Sequence, residues 1–239
     1  MIGDALVFDC VAHVFNFDEG NTLGDAGKMF NNHLYAFHQA LTPADEPHLS
    51  TEEFLREWTV EEIDRMVYEE SDTDMLLAMP LPLTDMFKDG LSSWERCAEL
   101  ARKRPDRTVF WGSVNPLEGR KALELMEIQV KEHGAKAFKL YNVRYENGQH
   151  FPWRMDDPEV AFPIYEKALE LGVNLIGVHK GVPLGPQHVE HTTTWDMDGA
   201  AGKFPRSTSS STTSGCPSST RCAGSSSGSP TCTRRWRPR

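Results

Sequence analysis

The chain lacks several features that would place it at a membrane or a nucleotide. No apolar run approaches the ~20 residues that cross a bilayer, so no membrane partner is expected. The N-terminus, MIGDALVFD, has no basic segment typical of a secretion signal. Neither a G-x-G-x-x-G pattern nor a P-loop occurs. Only Cys10 and Cys97 precede residue 206, and both lie in apolar segments, which predicts two reduced core thiols in a cytoplasmic protein.

The composition changes abruptly after Pro205. Residues 206–239 contain no Leu, Ile, Val, Phe or Met and no acidic residue, and 17 of them are Ser or Thr. All 35 Asp and Glu residues therefore lie in residues 1–205, and such an acidic body disfavours nucleic acid as a partner. We expect a folded body for small-molecule substrates over residues 1–205 and a disordered Ser/Thr/Arg-rich tail over residues 206–239.

The body alternates short apolar runs with helical patterns. The runs are apolar throughout their middle, which is typical of parallel strands covered on both faces. They span residues 5–11, 74–81, 108–115, 135–142 and 174–180. Five strands alternating with helices predict a (β/α)₈ TIM-barrel type of fold, truncated after about five strands.

Helix boundaries are marked by capping residues. Ser50 with Glu53, and Thr59 with Glu62, form two capping-box patterns. Further helices are predicted from a cap at Ser92 or Ser93 to Lys103, over residues 117–133, and from Asp157-Pro158 to Gly172, with Pro163 able to shorten the last one. Residues 16–49, rich in Asn, His and Pro, are predicted to be an irregular insertion.

Candidate functional side chains follow the strands, because sites in such barrels form at the carboxyl ends of the strands. His13 follows the first strand, Lys139 and Arg144 belong to the fourth, and His179 and Lys180 follow the fifth. Imidazole is a common metal ligand, so the two histidines predict a metal site, although a catalytic zinc needs three protein ligands. The three cationic side chains would suit a substrate carboxylate.

The segment after the fifth strand holds further candidates. His191 precedes a TTTWD loop that should edge the barrel mouth, and we expect it to contact substrate. Asp196 and Asp198 could ligate a metal or cap the following helix. Other histidines in loops or at helix starts are interpreted as surface residues: His33, His38, His48, His150 and His188.

The order of these motifs resembles a known family. FDCVAH, GAKAFKLYN, AFPIYEKALELGV, GVHKG and HTTTWDMDGAA resemble the amidohydrolase-related family, in the branch containing aminocarboxymuconate-semialdehyde decarboxylase. The block from Gly134 to Ala201 is the most specific part. The resemblance implies metal-dependent hydrolysis or non-oxidative decarboxylation of a small carboxylic acid, a divalent metal that is usually zinc, and a homodimer for the intact protein.

The resemblance also implies site residues. The first strand of the family ends in D-x-H-x-H, which places Asp9, Val11 and His13 on the motif, so valine replaces the first ligating histidine. His179 matches the metal ligand of the fifth strand. The sixth-strand histidine and the eighth-strand aspartate of the family are not expected in this chain, and the catalytic residues are therefore unknown.

Three interpretations of residues 206–239 stay open: a disordered linker, a nucleic-acid-binding arm ending in TRRWRPR, and a reading-frame error. Suitable codons from Ser207 onward, read from each third base, can spell DVVVHHVGLPFLDEV. That string is an apolar strand ending in a histidine pair and glycine, as expected for a sixth strand. We therefore expect a frameshift near Pro205 and an inactive chain; the alternative is a non-catalytic half-barrel that binds partners through its basic arm.

Overall fold

The computed structural model describes residues 5–181, 183 and 186–205, and the backbone of residues 208–211. The strands are β1 Phe8–Ala12, β2 Met75–Ala78, β3 Thr108–Gly112, β4 Ala137–Leu140, β5 Val143–Glu146, β6 Gln149–Pro152, β7 Leu175–Val178 and β8 Thr208–Ser211. The α-helices are α1 Gly24–Leu41, α2 Thr51–Phe54, α3 Val60–Tyr68, α4 Trp94–Lys103, α5 Arg120–Lys131, α6 Phe162–Glu170 and α7 Met197–Lys203. Within these residues, no helix has the length and apolar character needed to cross a bilayer.

The main sheet is a parallel half-barrel. Its strand order is β1-β2-β3-β4-β7-β8, and every neighbouring pair is parallel. The five predicted strands correspond to β1, β2, β3, β4 and β7, so the predicted truncated barrel is confirmed. The backbone of Thr208–Ser211 pairs with Leu175–Val178, at the place of a sixth strand. The rest of the predicted tail lies outside the described residues.

Apolar residues pack on both faces of this sheet. The outer face is covered by α3 and α4 against the first three strands and by α5, α6 and α7 against β4 and β7. The inner face carries a smaller cluster of Met79, Trp111 and Ala137, with Leu77, Val109 and Leu175 packed against it. Residues of the inner and outer faces alternate along each strand, because successive side chains of a β-strand point to opposite faces of the sheet.

Both predicted capping boxes are confirmed. Ser50 and Glu53 exchange side-chain and backbone hydrogen bonds at the start of α2, and Thr59 and Glu62 do the same at α3. Each box pairs two of the backbone groups that a helix start leaves unpaired. Ser93 is the cap of α4, since its hydroxyl accepts a hydrogen bond from the Arg96 amide.

Two other predicted helices begin later than expected. The 117–133 pattern divides into a 3₁₀ turn, Pro116–Glu118, and α5, because Gly119 between them adopts a left-handed φ of 55°. The helix predicted to start at Asp157 begins at Phe162, with Pro163 in its first turn, where a missing N–H costs nothing. The Asp157 carboxylate instead closes a turn by accepting from the Glu159 amide.

The predicted irregular insertion over residues 16–49 is wrong in its middle, because α1 runs through Gly24–Leu41. Asparagine and histidine in this segment obscure a helical spacing of apolar residues. Phe30, which is 1% exposed, packs edge-on against Phe87 with ring centroids 5.8 Å apart. Burial of this face outweighs the weak helix propensity of the segment.

The prediction of two buried thiols holds for Cys97 and is wrong for Cys10. Cys97 lies on α4 and is fully buried, whereas Cys10 is exposed. Among the described strands, β1 pairs with β2 alone and therefore forms an edge, and its register shifts between Asp9 and Ala12. A strand with one neighbour leaves one side open to solvent.

The Gln129 side chain fastens the end of β3 to α5. Its Oε1 accepts from the Ser113 amide at 2.7 Å, and its Nε2 donates to the Ser113 carbonyl at 2.9 Å. Both residues are buried, so water does not reach the Ser113 N–H and C=O groups. The Gln129 side chain supplies their hydrogen-bond partners instead. The Ser113 hydroxyl donates to the Lys139 carbonyl, so Ser113 also connects the end of β3 to β4.

The Gln129→Leu substitution should therefore destabilise the body. It leaves the Ser113 N–H and C=O buried without partners, which should lower the free energy of unfolding by about 3 kcal/mol. Urea denaturation followed by circular dichroism measures this. Gln149→Leu, at an exposed hairpin position, is the matched control and should change stability by less than about 0.5 kcal/mol. Equal stability of the two variants would contradict the anchoring role.

Candidate functional site

Alternate residues of β4 and β7 present a polar cluster on the inner face of the half-barrel. Lys139 pairs in register with Gly177, whose missing side chain leaves space beside the lysine. Tyr141 and His179 lie two residues further along the same two strands, and therefore on the same face. The rings of Tyr141 and His179 stack with centroids 5.1 Å apart and planes 13° from parallel.

Lys139 is a buried cation at this mouth. It is 2% exposed, and its Nζ lies 4.9 Å from the centroid of the Tyr141 ring. Burial lowers the pKa of Lys139 from its ordinary value to about 7, because desolvation penalises the charged ammonium. The side chain is thus divided between its charged and neutral forms near neutral pH. Burial also raises the pKa of Tyr141, which keeps the phenol protonated.

His13 joins the cluster from the end of β1. Its Nδ1 lies 2.7 Å from the Met79 carbonyl oxygen, which requires a proton on Nδ1 and turns the lone pair to Nε2. The pKa of His13 is lowered to about 4, mainly by burial and also by the Lys139 charge, while the Met79 carbonyl and Asp9 oppose the shift. His13 is therefore a neutral imidazole at neutral pH, the form that binds metals.

The donor set at this mouth does not by itself fit a catalytic zinc. Such a site needs three protein ligands, and His13 and His179 supply two imidazoles. Val11, at the position of the family's first histidine, is 48% exposed, and its amide donates to the Asp9 carboxylate at 3.0 Å. In the part of the chain that the structure describes, neither histidine belongs to a group of three close ligand atoms.

A hairpin missed by the sequence analysis forms one wall of a cleft beside this mouth. Strands β5 and β6 are antiparallel and joined by Asn147-Gly148, both with positive φ. An Asn-Gly pair between two extended segments is the signal that could have predicted it. Arg144 lies on this hairpin, in the wall of an open cleft of about 560 Å³ that also contains Asp85 and Asn115.

The cleft leads inward toward the cluster. A narrow recess, lined in part by Asp85, Arg144 and Tyr141, connects its floor with the ring that stacks on His179. The Arg144 Nε is buried without a hydrogen-bond partner among the described residues, although its guanidinium pairs with Glu146. An unpaired buried N–H beside a recess is a suitable donor to an anionic ligand.

Asp85 is a residue that the sequence analysis did not single out. It lies in the loop after β2, and its carboxylate accepts a hydrogen bond from the Tyr145 amide. Burial raises the pKa of Asp85, and the Arg144 charge partly opposes that shift. Nothing in its local sequence distinguishes Asp85 from a surface aspartate, because the hairpin that buries it is distant in sequence.

Lys180 does not join the cluster. Its Nζ lies 2.9 Å from Asp196 Oδ2, and both side chains are buried. The same oxygen accepts from the Met155 amide at 2.8 Å. Asp196 therefore neither caps α7 through its side chain nor contacts His13 and His179, and Lys180 is held on the opposite side of β7 from the mouth residue His179.

His191 also lies apart from Lys139 and His179. Its carbonyl accepts a hydrogen bond from the Asn142 side chain, which fixes its loop over the end of β4. Its imidazole ring is 16% exposed and faces those of His150 and His188, at centroid distances of 6.0 Å and 5.6 Å. The structure thus brings together His13, Lys139 and His179, with Arg144 in the adjoining cleft, and separates Lys180 and His191 from them.

Comparison with known proteins agrees with this arrangement of strands. The family model described as amidohydrolase matches residues 9–208. The chain belongs to the amidohydrolase family. No protein of curated function matches it in sequence.

Two solved structures share the fold of this amidohydrolase-family chain. An uncharacterized TIM-barrel protein from Bordetella bronchiseptica superposes with a TM-score of 0.57 at 19% identity, covering 87% of this chain and 66% of that one. A 2,6-dihydroxybenzoate decarboxylase from Rhizobium gives a TM-score of 0.54 at 15% identity, with coverages of 85% and 65%. The chain therefore spans slightly less than two thirds of the length of these two proteins.

The Lys180→Met substitution tests whether Lys180 is structural. It leaves the Asp196 carboxylate buried without its counter-charge, which should lower the free energy of unfolding by roughly 3–5 kcal/mol in thermal or urea denaturation. Lys203→Met, at an exposed position of α7, is the matched control and should have little effect. Unchanged stability of Lys180→Met, with weakened binding of a carboxylate ligand, would instead identify Lys180 as a substrate contact.

Proposed function

We propose that the cluster of His13, Lys139, Tyr141 and His179 is the active-site half of an enzyme that hydrolyses or decarboxylates a small carboxylic acid. The observation that carries the proposal is the buried Lys139 Nζ, 4.9 Å from the centroid of the Tyr141 ring, which lines the same recess as Arg144. The Rhizobium protein of similar fold acts, by its name, on an aromatic carboxylic acid.

Lys139 is suited to hold the carboxylate. Desolvation destabilises a buried ammonium, and this is why burial lowers the pKa of Lys139 to about 7. A carboxylate bound beside it would raise that pKa again, so that binding draws a proton onto Nζ. The Arg144 Nε–H would add a directional hydrogen bond at the entrance, since a guanidinium stays charged at any physiological pH.

We propose a metal ion at His13 and His179 for the intact member of the family. A divalent ion, with zinc as the first expectation, would polarise the substrate and lower the pKa of a bound water. His13 and His179 would provide two of its ligands, and a further ligand has to come from outside the described residues. For this reason we expect negligible turnover from the chain as it is written.

Carboxylate binding should weaken as the pH rises through the pKa of Lys139. Only the ammonium form attracts a carboxylate, and with a pKa of about 7 that form falls roughly tenfold in population between pH 6 and pH 8. Isothermal titration with benzoate should therefore give an affinity about tenfold lower at pH 8.

The matched variants for this titration are Lys139→Met and Lys136→Met. Lys136 lies three residues earlier in the chain and is exposed. The first variant should bind benzoate weakly at both pH values, and the second should behave like the unchanged chain. An affinity that does not depend on pH, or that survives in Lys139→Met, would overturn the role given to Lys139.

The reading-frame hypothesis and the activity can be tested together. The gene sequence across the Pro205 codon should contain an open alternative frame encoding HHVG, and its absence would end that hypothesis. A protein made in the restored frame should turn over a small set of aromatic carboxylic acids, including 2,6-dihydroxybenzoate, when zinc is supplied. His179→Asn in the restored frame should reduce kcat by at least about 100-fold; full activity of that variant would contradict the assigned site.

A further inference from the structure

A second group of histidines lies on the loop after β7, apart from the barrel mouth. The 3₁₀ turn Val189–Thr192 carries Glu190 and His191, and His188 directly precedes it. Glu190 Oε1 lies 3.7 Å from His188 Nδ1 and 3.7 Å from His191 Nε2. One ligand atom from each of the three residues lies within 4.8 Å of the other two.

These separations are close to those around a bound metal. A tetrahedral zinc with bonds of 2.0–2.2 Å holds neighbouring ligand atoms about 3.4 Å apart. The two carboxylate–imidazole distances exceed that value by a few tenths of an ångström, within reach of small side-chain rotations. The His188 and His191 rings are nearly parallel, with planes 9° apart and centroids 5.6 Å apart, so rotation of a ring about its side-chain bonds is needed to turn both nitrogens toward one point beside Glu190.

His150 adds a further imidazole from the β5–β6 hairpin. Its ring centroid lies 4.1 Å from that of His188. Its Nε2 lies at hydrogen-bond distance from the Pro186 carbonyl, which can only accept, so Nε2 carries the proton and Nδ1 holds the lone pair. A backbone carbonyl that fixes one ring nitrogen in this way is a frequent feature of histidines that ligate metals.

The turn that carries these residues is fastened to the barrel. The Asn142 side chain donates to the His191 carbonyl, and the Gly181 amide donates to the Thr192 carbonyl at 2.7 Å. The Thr192 hydroxyl also donates to the Val189 carbonyl at 2.8 Å. The ligand atoms are therefore largely positioned before any ion binds.

We propose that His188, Glu190 and His191 bind a divalent transition-metal ion of the zinc type, with the His150 ring beside them. Two or three imidazoles with one carboxylate favour zinc, nickel or copper over magnesium and calcium, which prefer oxygen ligands. The bound ion would link the β5–β6 hairpin to the loop after β7, beside the cleft that contains Arg144. This site is independent of the metal expected at His13 and His179.

Zinc titration of the full chain tests the proposal. Isothermal titration calorimetry with zinc chloride at pH 7.5 should detect one site. Its affinity should fall by at least about 100-fold in His191→Ala and in Glu190→Gln, because each variant removes a direct ligand. Loss of a residue that only supports a ligand already costs up to about that factor. Glu190→Gln keeps the shape of the side chain, and circular dichroism of each variant checks that it is folded. His133→Ala, an exposed histidine at the end of α5, is the matched control and should bind as the unchanged chain does.

Cobalt substitution identifies the ligands separately. Cobalt(II) bound by this set should give visible absorption bands of a four-coordinate site, and these should disappear in His188→Ala. Absence of zinc binding to the full chain overturns the proposal. So does zinc binding that survives His188→Ala and His191→Ala but disappears in His179→Ala, and in that case the proposed function at the barrel mouth stands.

Discussion

The buried ion pair between Lys180 and Asp196 holds together the segments that surround the mouth of the half-barrel. Lys180 extends β7, Asp196 precedes α7, and the Asp196 carboxylate also accepts from the Met155 amide that follows the hairpin. The loop between the two charged residues has to return over the ends of β4 and β7. Because a buried charge is strongly destabilised without its partner, this pairing specifies where the loop lies.

The position of that loop decides what the candidate site can contain. It places His188 and His191 against the hairpin and away from Lys139. The mouth itself then contains the neutral imidazole of His13, the partly charged Lys139 and the stacked pair of Tyr141 and His179. A desolvated cation beside the Tyr141 ring, which lines the recess, is an arrangement that favours an anionic ligand. This connects the fold to the carboxylic-acid chemistry that we propose.

Strand β1 forms an open edge of the half-barrel. Within the described residues β1 has one strand neighbour, and Leu6, Phe8 and Val11 around it are 69%, 41% and 48% exposed. In a closed barrel, strands on the other side would cover such residues. Exposed apolar side chains along an edge strand favour association between molecules, which accords with a body that is only part of a barrel.

Much of the fold followed from local patterns. Five apolar runs gave five parallel strands, and the capping boxes at Ser50 and Thr59 formed as their spacing predicted, because strand burial and helix capping depend on neighbouring residues. The order of motifs along β1, β4 and β7 was enough to indicate the amidohydrolase family. The helix at residues 24–41 escaped prediction because packing of Phe30 on Phe87, distant in sequence, decides it.

The sequence by itself determined that His13, Lys139 and His179 would meet, because the carboxyl ends of parallel strands share one edge of a sheet. Only the tertiary structure decided that Lys180 pairs with Asp196, that the Asp85 carboxylate accepts from the Tyr145 amide of the hairpin, and that His150 meets His188. Each of these contacts joins residues that are between 16 and 60 positions apart in the sequence. Helix and strand propensities depend on neighbouring residues and therefore do not predict contacts at that distance. These contacts form because charged groups and imidazole rings are buried together when the chain folds.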